Sequence, residues 1–304
     1  MNSVEPIKKI KLSVVIASQN AVTSAGNCLS EIKKQSREDT ALEIIVVDNS
    51  TDHTGQIIAD NFPDIKIIKA PKEKLIPELW QIGIEAGSGD IVALTTIHFV
   101  PADNWIKEII RAHQSPYSGI GGAIENAPEA NIISWAIYFC RYSRYMLPFD
   151  EKTVDDFAAD NASYKRDSLN RVKNSSLQGF WEVFVHQAMK KNNLHLALIP
   201  TIIVYHQQSF NFLGFLKQRF SHGRQFGSKR AENISGGKRM ALIFLSPLIP
   251  FLYIYRITNQ VFTKNRNIGK YFLALPVLFV FLISWTLGEF CGYLVGQTEI
   301  YAKR

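Results

Sequence analysis

The feature that most constrains this chain is the alternation that fills its first hundred residues. β-Branched runs at 12–18, 42–48, 64–70 and 90–95 are separated by helical patterns at 22–35, 54–61 and 76–86. Strands alternating with helices of this length imply βαβ units, and hence an α/β, mostly parallel sheet with helices on both faces. In such sheets ligands bind beyond the carboxyl ends of the strands, so functional residues are expected just after Ser18, Asp48 and Thr95. The first strand runs into Gln19 and Asn20 with no G-x-G-x-x-G, which removes the main support for a dinucleotide-binding enzyme. No P-loop lysine pattern is present either.

Charge divides the chain unevenly. Residues 1–200 carry 21 Lys and Arg against 24 Asp and Glu, whereas residues 201–304 carry 13 against 3, so the last third supplies the whole net charge of +7. A nucleic-acid binder would stud its folded domain with basic residues; a basic tail instead suits anionic lipid or phosphate. Cys28, Cys140 and Cys291 have no ligand-like spacing and leave an odd count, which argues against a zinc site or a disulfide framework.

The tail is also apolar. Residues 240–255 are 16 without a charge, interrupted by Pro247 and Pro250, and reach only about 24 Å of a hydrocarbon core of roughly 30 Å. Residues 271–288 give 18 uncharged positions, a candidate span. Between the two stand Lys264, Arg266 and Lys270. The positive-inside rule would keep that loop in the cytoplasm, in conflict with a two-pass hairpin below a cytoplasmic domain. Residues 128–148 read as an aromatic amphipathic helix.

Several short segments, in order, carry a resemblance. "LSVVIASQN", "EIIVVDNSTDHT", "SGDIVALTTIHFVPADNW", "GGAIEN", "DNASYKRDSL", "GFWEVFVHQAMKKN", "PTIIVYHQQSF" and "KQRFSHGRQFG" together resemble the landmarks of family-2 glycosyltransferases of GT-A fold, in their membrane-anchored bacterial form. The resemblance implies a donor site formed by Ser18, Asn20, Asp48, Asp52, His98 and Glu125, with Asp48 contacting the base or ribose. It implies glycines at 121 and 122 that let the backbone approach the donor sugar, an acceptor side at Asn161 and Tyr164, and Glu182 as catalytic base. It assigns the leaving pyrophosphate to Arg219, His222 and Arg224. The same residues have plainer uses: "DNSTD" is also a turn and helix cap, and Glu182 suits any helix N-terminus.

The sequence departs from the family pattern at two landmarks, the first being Glu182, which is followed by Val183 where many members have Glu-Asp. At the second, a D-x-D pair would hold Mg2+ or Mn2+ across the donor pyrophosphate, but Thr95, Thr96, Ile97 and His98 stand there, so hard-cation coordination by this motif is not expected. His206 and His98 remain as metal contacts implied by the resemblance. The expected organisation is a GT-A domain over 1–237, with a nucleotide-sugar half at 1–127 and an acceptor half at 128–237. A membrane anchor over 238–304 would carry one or two transmembrane helices at 240–262 and 271–295. The expected function is inverting transfer of a sugar from a nucleotide diphosphate sugar to a lipid-linked or glycan acceptor, with the catalytic domain on the cytoplasmic face of the cell membrane and no nucleic-acid partner. The missing acids leave an alternative, a GT-A protein that binds donor without catalysis.

Overall fold

The computed structural model describes residues 10–36, 40–173, 179–207, 211–232 and 234–295. Residues 208–210 of the histidine motif and 296–304 of the expected anchor lie outside the described residues. The chain divides into two compact units, one formed by Met1–Ala127 with Leu147–Gln208, the other by Pro128–Met146 with Ser209–Arg304.

The first unit realises the alternating pattern. β1 (Ile10–Ser18), β2 (Thr40–Asp48), β3 (Lys66–Lys69) and β4 (Ile91–Thr96) pair in parallel and are connected by α1 (Ala25–Lys34), α2 (Thr54–Asn61) and α3 (Ile76–Ala86). There follow β5 (Phe99–Pro101), α4 (Trp105–Ala112), β6 (Gly119–Asn126), then α5 (Ile132–Tyr142) of the second unit, β7 (Lys152–Val154), β8 (Asn161–Lys165), α6 (Arg166–Val172), α7 (Glu182–Lys191) and β9 (Leu196–His206). Among the described residues, nine strands make one sheet in the order β3-β2-β1-β4-β8-β6-β9-β5, with β7 beside β9.

Continuous apolar runs explain the centre of that sheet. Val14 to Ala17, Ile45 to Val47 and Val92 to Leu94 are fully buried, as strands covered on both faces must be. Each Val, Ile or Leu side chain among them contributes about 1.5–3 kcal/mol of burial energy. Glu78 fixes the start of α3 by accepting the Leu75 N–H at 2.9 Å, a capping interaction that satisfies an orphan donor. The expected helix at 22–35 starts only at Ala25, because Asn20 adopts a left-handed φ of 49° and turns the chain first.

Direction matters more than order for the site. β8 is antiparallel to both β4 and β6, and β9 is parallel to β6. Six strands therefore point the same way, and Ser18, Asp48, Lys69, Thr96, Asn126 and His206 close them along one edge.

The second unit is helical: α5, a 3-10 turn at Ser143–Tyr145, α8 (Phe212–Glu232), α9 (Gly236–Leu245), a 3-10 turn at Ser246–Leu248, α10 (Ile249–Lys264) and α11 (Ile268–Val295). The aromatic helix expected at 128–148 is shorter, since Asn131 caps α5 by accepting the Ser134 N–H. Gly236–Lys264 and Ile268–Val295 are long and apolar enough to cross a membrane by length and composition. α8 and α11 run in the same direction, Phe215 stacking on Phe281 and Arg230 reaching Glu289. They touch at backbone level through Gly223, Gly227, Gly288 and Gly292, where a methyl group would overlap a carbonyl of the facing helix. Small residues four apart on both helices are what such an approach requires.

Candidate active site

Asp48 organises the first part of the strand-end edge. Its side chain is fully buried: Oδ1 accepts hydrogen bonds from the Ser18 hydroxyl at 2.9 Å and the Ser50 hydroxyl at 2.5 Å, and Oδ2 accepts one from Lys69 Nζ at 2.6 Å. Burial alone would push this carboxyl up, but the hydrogen bonds from Lys69, Ser50 and Ser18 outweigh it and hold the pKa below the ordinary carboxylate range. Gly55 makes the ion pair possible, because a side chain there would occupy the place of the Lys69 ammonium.

Asn20 and Asp52 complete this cluster. The Asn20 N–H donates to Ser50 Oγ at 2.8 Å, while its side-chain oxygen accepts the Thr51 N–H at 2.9 Å. Asp52 accepts both the Thr54 N–H and the Thr54 hydroxyl, and thereby begins α2. Ser18, Asn20, Asp48 and Asp52 are thus brought together, with Asp52 serving the helix start.

The end of β4 holds no carboxylate. Thr95, Thr96, Ile97 and His98 are all buried, and His98 is braced from both sides, with Nδ1 3.2 Å from the Ser24 hydroxyl and Nε2 3.1 Å from the Gln19 carbonyl. Among the described residues no group of three His, Cys, Asp or Glu could hold a metal ion. Hydroxyls and a braced imidazole are poor ligands for a hard cation, so the residues at this landmark do not fit Mg2+ or Mn2+.

Farther along the edge, Asn126 and His206 pair across β6 and β9, with His206 Nδ1 3.3 Å from Asn126 Oδ1 and the ring tilted against Phe99. Glu125 is buried and accepts the Leu147 N–H at 2.8 Å. The resemblance implied that the glycines beside it open the backbone to the donor sugar, but the space at Gly121 is filled by the Phe157 ring, and that at Gly122 by the Ile202 carbonyl and the Asn161 amide.

Asn161 and Tyr164 also lie inside. The two amide hydrogens of Asn161 bridge the Ala123 and Ile202 carbonyls, where the β6–β9 register shifts, and its oxygen accepts the Trp105 indole N–H. Tyr164 is fully buried among Phe157, Phe180 and His186, its hydroxyl 2.8 Å from His186 Nε2. Both side chains brace the sheet from within.

Glu182 is the first residue of α7 and half-buried. In the helical unit, Arg219 is buried between the Phe215 and Trp285 rings and lies 3.4 Å from His222 Nδ1. Desolvation, then the guanidiniums of Arg219 and Arg141, holds His222 well below its ordinary pKa, so it is neutral. Arg224 is half-buried on the same helix.

Sequence reasoning missed Lys69, Ser50 and Ser24. The β3 residue in register with Asp48 is Lys69, a pairing that no local motif reveals. Ser50 sits inside the recognised turn and could have been named from it.

Comparisons with known proteins agree with this geometry. The chain matches the family model for "Glycosyl transferase family 2" over residues 13–173. Among solved structures it is similar to the mannosyltransferase PcManGT from Pyrobaculum calidifontis in complex with GDP-Man and Mn2+, with a TM-score of 0.55 and 15% identity over 92% of this chain and 87% of that one. It is similar to TarS 1-349 of S. aureus, with a TM-score of 0.50 and 13% identity over 93% and 89% of the two chains. GalNAc-T7 with UDP, GalNAc and Mn2+ gives 0.52 and 12% over 66% and 44%. No curated protein matches the chain at a significant level. At these identities the structural likeness bears on the fold.

Proposed function

We propose that this chain, which belongs to glycosyl transferase family 2, moves a sugar from a nucleoside diphosphate donor to a lipid-linked or glycan acceptor at the cytoplasmic face of a membrane, with inversion at the anomeric carbon. The observation that carries the proposal is the alignment of six strand ends on one edge, all but His206 within the stretch matched to the family. Ligands of open α/β sheets bind at that edge. The similar structures that contain GDP-Man and UDP support a nucleotide sugar as the class of donor.

In this reading the nucleoside lies over the Asp48 cluster, where Ser18, Ser50 and Lys69 already orient the carboxylate. Glu182 takes the proton of the acceptor hydroxyl as that oxygen attacks the anomeric carbon, and the nucleoside diphosphate leaves with the electron pair of the broken bond. Two facts support Glu182: it is the sole acid between Asp167 and Glu232, and the N-terminus of α7 favours its ionised form. The developing diphosphate charge needs fixed cations. Arg219 and Arg224 are the residues to substitute, with His222 offering a hydrogen bond and no charge. No step is assigned to a divalent cation, and donor binding is expected to survive a chelator. Strict dependence on Mn2+ or Mg2+ would reverse that assignment.

The test is a screen of UDP-, GDP- and dTDP-sugars for thermal stabilisation, followed by turnover with polyprenyl phosphate and glycan acceptors. Saturation at 100 times the dissociation constant should add about 2.7 kcal/mol. No stabilisation by any donor would sink the reading. Binding without turnover would favour the donor-binding partner, which the threonines at β4's end motivate.

A further inference from the structure

We propose that Gly236–Val295 lies within one leaflet of an anionic membrane, in its plane, and does not cross it. The inference rests on the reading that this chain works at a membrane and concerns how it is held there.

The register of α8 against α11 is the first reason. Contacts advance together along the two helices: Phe215 meets Phe281, Leu216 O accepts the Ser284 hydroxyl, Gly223 faces Trp285, Gly227 faces Glu289, and Arg230 reaches Glu289 and Tyr293. The part of α11 from Phe281 onward therefore shares its level with all of α8. That helix carries Lys217, Arg219, Arg224, Lys229 and Arg230, a set of cations strongly disfavoured at the centre of a bilayer. Only residues 268–280 of α11 remain for hydrocarbon, roughly 20 Å against the roughly 30 Å to be crossed.

The turn between α10 and α11 gives the second reason. Lys264 Nζ donates to the carbonyls of Ser143, Arg144 and Met146, and Lys270 Nζ donates to the Pro128 carbonyl at 2.8 Å. Arg239, at the other end, holds the Tyr293 and Leu294 carbonyls that close α11. A crossing hairpin would put the turn on the far side, carrying Pro128 and Met146 with it, together with their peptide bonds to Ala127 and Leu147.

What the face offers matches a leaflet. Phe244, Leu248, Phe251, Tyr255, Phe272 and Leu273 are exposed, on helices with Lys238 and Arg239 at one end and Lys264, Arg266 and Lys270 at the other. A hairpin must leave one basic cluster on the outer side, whereas an in-plane pair puts both against the same anionic headgroups. The conflict read from the sequence disappears.

Labelling with a membrane-impermeant maleimide tests this in the full chain, in inverted and right-side-out membrane vesicles. Gly237→Cys and Gly269→Cys suit the two ends, since a side chain there meets nothing within 4 Å. Gln56→Cys, exposed on α2, is the reference, and Cys140 and Cys291 are first replaced by Ala. All three sites should react in one vesicle orientation and lose reaction in the other. Gly269→Cys reacting only in the opposite orientation from Gln56→Cys overturns the proposal and leaves membrane attachment intact. A chain that fails to sediment with vesicles of phosphatidylglycerol and phosphatidylcholine, or whose apolar face is covered by a second copy in lipid-free buffer, overturns both. Donor turnover in detergent separates either failure from that of the catalytic reading.

Discussion

The two units bury opposite things. In the α/β unit the sheet interior is valine, isoleucine and leucine, and among the described residues only Val22 and Tyr205 are large apolar side chains left exposed. In the helical unit Ser284, Thr286, Glu289 and Arg219 are inside, while Phe244, Phe251, Tyr255 and Leu273 face outward. Apolar side chains of the kind that fill the interior of one unit form much of the outer surface of the other. Glycine shows the same split. Gly121 makes room for the Phe157 ring within the sheet, whereas Gly227 and Gly292 let two helix backbones touch.

The largest expected effect tests whether the polar rim of the α/β unit is its working part. Glu182→Gln keeps shape and hydrogen bonding but cannot take the proton, so turnover should fall by roughly 10² to 10⁴ while donor binding persists. Transfer at the parent rate would move the base elsewhere, with Asp160 and His98 next to examine.

Asp48→Ala should weaken donor affinity by about 1.5–3 kcal/mol, the value of a charged hydrogen-bond partner. Because three donors converge on this buried carboxylate, the variant should also melt earlier, and Asp48→Asn less so. Unchanged affinity in a folded variant would confine Asp48 to a structural part.

Gly227→Ala probes the other unit. Its methyl would press on the Glu289 carbonyl, and overpacking of this kind costs about 1–3 kcal/mol. Protease sensitivity should rise within 209–295 and not in the sheet; a uniform loss would mean that the units do not unfold separately.

The last expected effect is a slope with pH. Burial, then the charge of Lys165, pushes His113 down to about 3, and the ring faces Ser163. Its folded pKa lies below the unfolded value of about 6.5, so the unfolded chain binds more protons between the two. Stability is complete above about pH 6.5 and falls toward pH 3 by about 1.4 kcal/mol per pH unit. Asp48, also depressed, adds loss in the same direction below the ordinary carboxylate range. Denaturant titrations of His113→Asn should show a shallower slope than the parent; equal slopes would remove His113 as the cause.

Much of the α/β unit was legible beforehand because its signals are local. A run such as "EIIVVD" is a buried strand wherever it lies, and the family order of short motifs pointed to Asp48, Glu125 and Glu182 as site candidates. Roles were less legible. Asn161 and Tyr164 looked like acceptor contacts, yet their polar atoms are spent bridging carbonyls and meeting His186. The α8 cations looked like one phosphate cluster, yet Arg219 is stacked on Phe215 and Trp285 beside a neutral His222.

The sequence by itself determined the alternating strands and helices of its first hundred residues, which third of the chain is basic and apolar, and that no carboxylate stands at the end of β4. These follow from periodicity and composition, which each residue carries wherever the chain folds. Only the tertiary structure decided that Lys69 meets Asp48, that Asn161 closes the sheet's register shift, and that α8 travels alongside α11. Those contacts join residues 21, 38 and some 60 positions apart or more, and at such separations pairing is set by strand direction and by where glycine permits close approach.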